Sequence, residues 1–345
     1  MSKISNKFKD MTDTNLLLTI TVVVFFLMYI GAIVFQGKGF LKPQTFFNIL
    51  NTNAALIILS CGMSLVMITG GIDISVGGVT ALVSMCCAVY LDFKGGNVAV
   101  SMLIAILIGL AYGVVQGFLV AYLDIQPFIV SLAGMFFARG MTAVISTDQK
   151  SITEQINPLF YKLANIKIKL PFGGYTNRKG VYMAPNISVG VVIALLVLIL
   201  IFLMLRYTKF GRSLYAIGGS EQSAAMMGLN VKFTKMKAYI LSSFLTSIGA
   251  ICFCLNTMAA SVQQALGYEM DAISSAVIGG TLLTGGVGNV IGTFFGVLIN
   301  GTISAIVKTN GKLASSWPSI LTAALLFLFI VIQSIFAAIR EKQKG

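Results

Sequence analysis

Residues 15–35 read NLLLTITVVVFFLMYIGAIVF, an unbroken apolar run without one charged side chain. Wound as a helix it rises ~31 Å at ~1.5 Å per residue, enough to cross a hydrocarbon core of roughly 30 Å. The run is too long for the apolar core of a removable signal peptide and has no small-residue cleavage site after it, so it reads as a permanent first span. Working outward, the pattern recurs. Apolar runs follow at about 48–69, 78–90, 98–122, 128–145, 187–205, 238–256, 271–284, 289–307 and 317–339. The fold class expected is all-α, a polytopic membrane protein of about ten transmembrane helices.

The composition says the same. Hydrophobic residues are 57% of the chain and charged residues 10%, against roughly 45–50% and roughly 25% in a water-soluble domain. So few charges cannot dress a water-facing surface. The net charge of +13 does not point to nucleic acid, because the basic residues fall in short segments between apolar runs, where they fix membrane orientation. An even number of spans puts both termini on one side. With that side cytoplasmic, the basic residues divide twelve inside to eleven outside, with Arg139 inside a span. The whole of 1–345 reads as one membrane domain, with a long outer segment at about 146–185 and a basic cytoplasmic segment at about 206–237.

Several chemistries are excluded. There is no histidine, which removes the commonest general base and metal ligand. Cys61, Cys86, Cys87, Cys252 and Cys254 sit in apolar runs without zinc spacing and read as reduced core thiols. No catalytic, metal or cofactor site is expected. No phosphate-binding loop occurs, since Gly37-Lys38 and Gly311-Lys312 lack the following Ser or Thr. The carboxylates fall in tails, connectors or span ends, whereas ion-coupled carriers bury theirs at mid-membrane. Energy is expected to come from another protein.

The cytoplasmic segment shows where that protein could act. Residues 220–228, Ser-Glu-Gln-Ser-Ala-Ala-Met-Met-Gly, form a self-contained helical rod. Ser220 can cap its start, Glu221 suits the positive dipole end and Gly228 can take the left-handed stop. Ala224 and Ala225 are small enough for a partner's groove. An ordinary interfacial helix between two spans fits the same residues.

Other positions carry paired readings. Asp73 and Ser75, between Gly70-Gly71 and Gly77-Gly78, form either a gate at a helix break or the cap of the helix that restarts there. Arg139, a cation within a span, needs a partner; Asp73, Glu269 and Asp271 are the carboxylates available. Glu269 and Asp271 suit the start of the eighth span or an outer gate. Asn256, Gln263 and Gln264, near the same mouth, could pass hydroxyls along, provided the contacts are weak enough to release. Gly285, Gly286, Gly288, Gly292 and Gly296 suit close helix packing. The echo of Gly71-Ile72-Asp73-Ile74-Ser75 in Met270-Asp271-Ala272-Ile273-Ser274 suggests a five-plus-five inverted repeat.

The run Glu221-x-x-Ala224-Ala225-x-x-Gly228-x-Asn230-Val231 follows Phe210-Gly211-Arg212 and Ala216-Ile217-Gly218-Gly219. Together they resemble the cytoplasmic coupling loop of bacterial sugar ABC-importer permeases of the ribose/galactose/xylose type. Gly70 to Gly77, Pro127-Phe128-Ile129-Val130, Ala138-Arg139-Gly140, Gly267 to Ile273 and Gly279 to Thr293 extend the resemblance. The long outer segment, with residues 175–182, is most similar to galactofuranose-type or related hexose permeases.

The resemblance implies a permease that performs no catalysis, in a bacterial inner membrane. It pairs with an identical or different second permease and is driven by a cytoplasmic ABC ATPase, separate or fused in tandem. An external sugar-binding protein feeds it. Glu221, Ala224, Ala225 and Gly228 are then implied to enter the ATPase groove. A nucleoside or branched amino acid cargo, or an ion-coupled secondary carrier, remain the alternatives.

Overall fold

A computed structural model describes residues 13–344, apart from 93–95, 172, 177–181, 312 and 315. Lys3, Lys7 and Lys9 of the basic amino-terminal tail, and most of the 175–182 run, lie outside the described residues.

The spans are α1 (Asp13–Gln36), α2 (Pro43–Ile68), α3 (Val76–Asp92), α4 (Val98–Ala121) and α5 (Pro127–Ile145) in the first half. In the second they are α7 (Val189–Tyr207), α10 (Val231–Thr257), α11 (Tyr268–Ile278), α12 (Val290–Asn310) and α13 (Trp317–Lys344). Short helices α6 (Pro158–Ala164), α8 (Lys209–Gly219) and α9 (Glu221–Met226) lie between them. Of the ten, eight are long and apolar enough to cross a membrane. The third and eighth differ from the expectation of full spans. At 17 and 11 residues they rise only ~26 Å and ~17 Å, short of a hydrocarbon core of roughly 30 Å, and irregular backbone adjoins each.

Irregular backbone at membrane depth persists only where the protein satisfies it, and here it does. After α2, the Gly71 amide donates to the Val66 carbonyl at 3.1 Å and the Gly286 amide to Ile68 at 2.9 Å. The Tyr239 hydroxyl donates to the Ile72 carbonyl at 3.1 Å. After α11, the Leu282 amide donates to Val287 at 3.0 Å, and the Tyr215 hydroxyl to the Gly288 carbonyl at 2.9 Å.

The two halves pack reciprocally. Helices α2 and α10 pack together; α10 lies on α4 as α2 lies on α12, and α10 meets α3 as α2 meets α11. Helix α3 pairs with α5 as α11 pairs with α13. This exchange is what an inverted repeat requires. The first helix of each half departs from it: α1 packs on α12 and α7 on α2.

Lipid tails supply no hydrophobic drive for helix association, so close backbone approach must do so. On α4, Gly109, Gly113 and Gly117 form one ridge against α10. A Cβ at Gly113 would sit 2.6 Å from the Ile240 Cα, and one at Gly117 2.9 Å from the Met236 oxygen. Outward faces are apolar, with Phe26, Leu27, Val34, Phe136, Leu196 and Phe327 exposed.

Between α5 and α7 the described residues form short strand pairs. Strand β1 (Lys150–Ser151) pairs antiparallel with β6 (Ala259–Ala260) just after α10, β2 (Lys167–Lys169) with β5 (Asn186–Ser188), and β3 (Tyr175–Thr176) with β4 (Tyr182–Met183). All five cysteines are free, and four of them are buried.

Candidate functional site

Helix α9 ends as its sequence dictates. The Ser220 hydroxyl accepts from the Ser223 amide at 3.2 Å, supplying a partner that the first turn lacks. At the other end Gly228 adopts φ 80°. Its amide donates to Ala225 at 2.9 Å and the Leu229 amide to Ala224 at 3.1 Å, the paired closure of a Schellman turn. Asn230 then caps α10 through the Phe233 amide at 3.0 Å. The Glu221 carboxylate pairs with Lys235 on the first turns of α10, so the rod is fixed to the helix that follows it.

The faces of this rod differ from a uniform small-residue plug. Ala224 is fully buried and packs inward. Glu221, Ala225 and Gly228 are exposed. The most projecting apolar atoms belong to Met226 and Met227, 88% and 68% exposed. Flexible, polarizable methionines suit an adaptable partner surface. The sequence signal for them was two adjacent large apolar residues in an otherwise polar segment.

Behind the rod, the end of α8 meets the core backbone to backbone. A Cβ on Gly218 would overlap the Ile68 carbonyl and the Gly286 amide, while one on Gly286 would come within 3.0 Å of Gly219. Gly70 and Gly285 complete this junction, both with left-handed φ. It brings the end of α2 and the break after α11 against the helix that leads into α9.

Asp73 and Ser75 stand together at the first break, both buried. Asp73 Oδ1 accepts from the Ser75 amide at 3.1 Å and the Ser75 hydroxyl at 2.6 Å, and Oδ2 from the Ser242 hydroxyl of α10 at 3.4 Å. The carboxylate thus holds the turn into α3 and ties it to α10. Gln116 of α4 accepts from Ser75 at 3.4 Å, and its buried Nε2 has no partner among the described residues. Gln116 and Ser242 were missed in the sequence, where they are two neutral residues in apolar helices.

Arg139 corrects an expectation. Among the described residues it makes no salt bridge, although the Glu269 carboxylate acts on it electrostatically; its guanidinium donates to three carbonyls of the loop before α11, Val262 at 3.1 Å, Gln264, and Ala265 at 2.8 Å. Ala265 there has φ 52°, a conformation that costs a residue with a Cβ. A planar fork reaches several acceptors at once where an ammonium cannot. Arg139→Lys should therefore cost about 1.5–3 kcal/mol, the range for hydrogen bonds made by a charged group. Faster amide exchange across 259–267, with other segments unchanged, is the expected readout.

Glu269 and Asp271 lie in the first turn of α11. Glu269 Oε2 and Gln264 Oε1 are buried without a partner among the described residues. A Cβ on Gly77 would run into Glu269, so the glycine lets this carboxylate lie against α3. Gln263 is exposed. Asn256, in the last turn of α10, lines a separate pocket. Among the described residues, no group of three or more Cys, Asp or Glu side chains could hold a metal ion.

Residues 45–331 match a family described as branched-chain amino acid transport system / permease component. The chain is 36% identical over 97% of its length to the inner membrane ABC transporter permease protein YjfF of Escherichia coli K12, of which it covers 97%. It is 34% identical over 94% of its length to the fructose import permease protein FruG of Bifidobacterium longum, covering 92% of it. To the ribose import permease protein RbsC of E. coli K12 it is 31% identical over 89%, covering 91%. No solved structure matches the chain.

Proposed function

The chain belongs to the branched-chain amino acid transport system / permease component family, and on that premise we propose that it is the membrane subunit of an ATP-binding-cassette importer for a monosaccharide. It is a multi-pass inner-membrane protein. Both termini face the cytoplasm, and a separate or tandem-fused ATPase hydrolyses the nucleotide. A second permease, identical or related, completes the pore, and an external binding protein delivers the sugar. The relatives named for fructose and ribose import support a pentose or hexose over a branched amino acid.

The observation that carries this reading is the capped rod with two bare methionines, set on a backbone-to-backbone junction with both helix breaks. An ATPase that grips Met226 and Met227 differently in its open and closed states moves α8, and with it the ends of α2 and the 279–289 segment. Only a difference in contact between the two states can do this work. Asp73, Ser75 and Arg139 fit gate positions because they hold backbone or bond each other at a break, and Glu269 and Asp271 fit them by their place in the first turn of α11. Asn256 and Gln263 fit the outer mouth, and Ser220, Glu221, Ala225 and Gly228 fit the ATPase contact, with Ala224 supporting it from beneath.

The test is the double variant Met226→Asp and Met227→Asp. Both side chains project from the surface, so insertion and thermal stability should stay at the parent level. Co-purification with the ATPase, and ATP-driven uptake in proteoliposomes with the binding protein present, should fall at least tenfold. Undiminished uptake would reject the role given to α9. Accumulation by this chain alone under a sodium or proton gradient would replace the reading with a secondary carrier.

A further inference from the structure

At the end of α10 remote from α9 lies an open pocket of about 280 Å³. Its walls come from the first turns of α2, the last turns of α10, the start of α7, and the outer segment at α6, β2 and β5. Five asparagines line it: Asn48, Asn51, Asn165, Asn186 and Asn256. Lys167 is the one charged side chain among the lining residues, and no carboxylate is among them.

The walls are built. Asn51 Nδ2 donates to the Asn186 carbonyl at 3.1 Å, and its Oδ1 accepts from the Ser188 amide at 2.8 Å. The Asn186 amide is held by Gln44 Oε1 at 2.9 Å. These bonds clamp the β2–β5 pair to α2. Other amide groups remain unspent. Asn165 uses its Nδ2 on the Tyr161 carbonyl at 2.9 Å, leaving Oδ1 to accept. Asn48 receives Gln44 Nε2 on its Oδ1 at 2.6 Å, leaving Nδ2 to donate. Asn256, exposed, has neither group engaged among the described residues. Ala54, Ala55, Gly190 and Leu255 add apolar lining.

Unused donors and acceptors side by side match a hydroxyl, which both gives and takes a hydrogen bond. Apolar lining accepts the C–H face of a sugar ring. The volume, just under the roughly 300–1,000 Å³ of drug-sized sites, suits one ring. A lone exposed lysine is a poor anion site beside the Arg forks that recognise carboxylates, and without a carboxylate the pocket does not recruit a cation.

We propose that this amide-lined pocket is a weak binding site for one neutral monosaccharide, separate from the gates at the helix breaks. That it faces outward, on the side of sugar delivery, rests on the cytoplasmic placement of α9 given above; that it binds a sugar does not. A sugar released at the mouth can wait there, and weak contacts let it leave.

The experiment uses the purified full chain in nanodiscs, without ATPase or binding protein. D-galactose, D-fructose, D-ribose, D-galacturonate and L-leucine are titrated by saturation-transfer NMR. At least one neutral sugar should saturate in the millimolar range, and galacturonate and leucine should not. Asn256→Leu, an exposed position with no bond to lose, should weaken that sugar at least tenfold, and Asn256→Gln should restore most of it. Each variant must elute and melt as the parent does. If no neutral sugar saturates, if galacturonate or leucine binds instead, or if Asn256→Leu binds as the parent, the proposal is overturned. Uptake by the reconstituted complex is scored separately. Import without binding in the isolated chain sinks the pocket alone, whereas failure to import any sugar sinks the transport reading and leaves the binding result standing.

Discussion

Gly218→Val should abolish uptake and strip the protein of much of its thermal stability. A branched side chain there meets the Ile68 carbonyl and the Gly286 amide, which are backbone groups already bonded to each other at 2.9 Å. Neither can swing aside as a flexible side chain would. Overpacking in an ordinary core costs about 1–3 kcal/mol because neighbours relax; here relaxation means breaking the bond that closes the end of α2. We expect a loss of more than ~3 kcal/mol, read as a lowered melting midpoint in detergent. Gly219→Ala is the control. A Cβ at Gly219 meets nothing within 4 Å, so that variant should fold and transport as the parent does.

Ala224→Asp should be nearly as damaging, and for a reason unconnected with any partner. The side chain is fully enclosed on the inner face of α9. A carboxylate placed there loses its water without gaining a cation, and a buried charge left uncompensated costs on the order of 3–5 kcal/mol. The expected result is a lower melting midpoint in the isolated chain, with or without ATPase. Met226→Asp, one turn-face away and 88% exposed, should leave the midpoint unchanged. The pair separates a folding defect from a coupling defect. Equal stability of the two variants would contradict the inward packing of Ala224.

Much of this arrangement was legible in the sequence, and the failures have physical reasons. The long spans follow from uncharged runs, and the termini of α9 from Ser220 and Gly228, because capping is a local matter of which atoms can reach which amides. Asp73 at a turn and Glu269 with Asp271 at a helix start are equally local. Hydropathy cannot tell a full span from a short helix plus buried loop, since both bury apolar residues; α3 and α11 therefore read as complete. Arg139 was matched to carboxylates because charge seeks charge, but carbonyls freed by a broken helix satisfy a guanidinium as well. Ala224 fitted a groove or its own core equally, since a small side chain states nothing about direction. The Gly109, Gly113, Gly117 spacing was a readable packing signal that went unused. The amide-lined pocket had no such signal, as its asparagines are scattered from position 48 to position 256.

Helix α10 is continuous over 27 residues, Val231–Thr257. It begins beside the Glu221–Lys235 pair and finishes at Asn256 on the far rim. A stiff beam of about 40 Å, turned by about 10° around its midpoint, swings each tip by roughly 3–4 Å in opposite senses. Whatever pulls the lower tip must therefore shift the upper one in the same instant, like a see-saw with no joint between its seats.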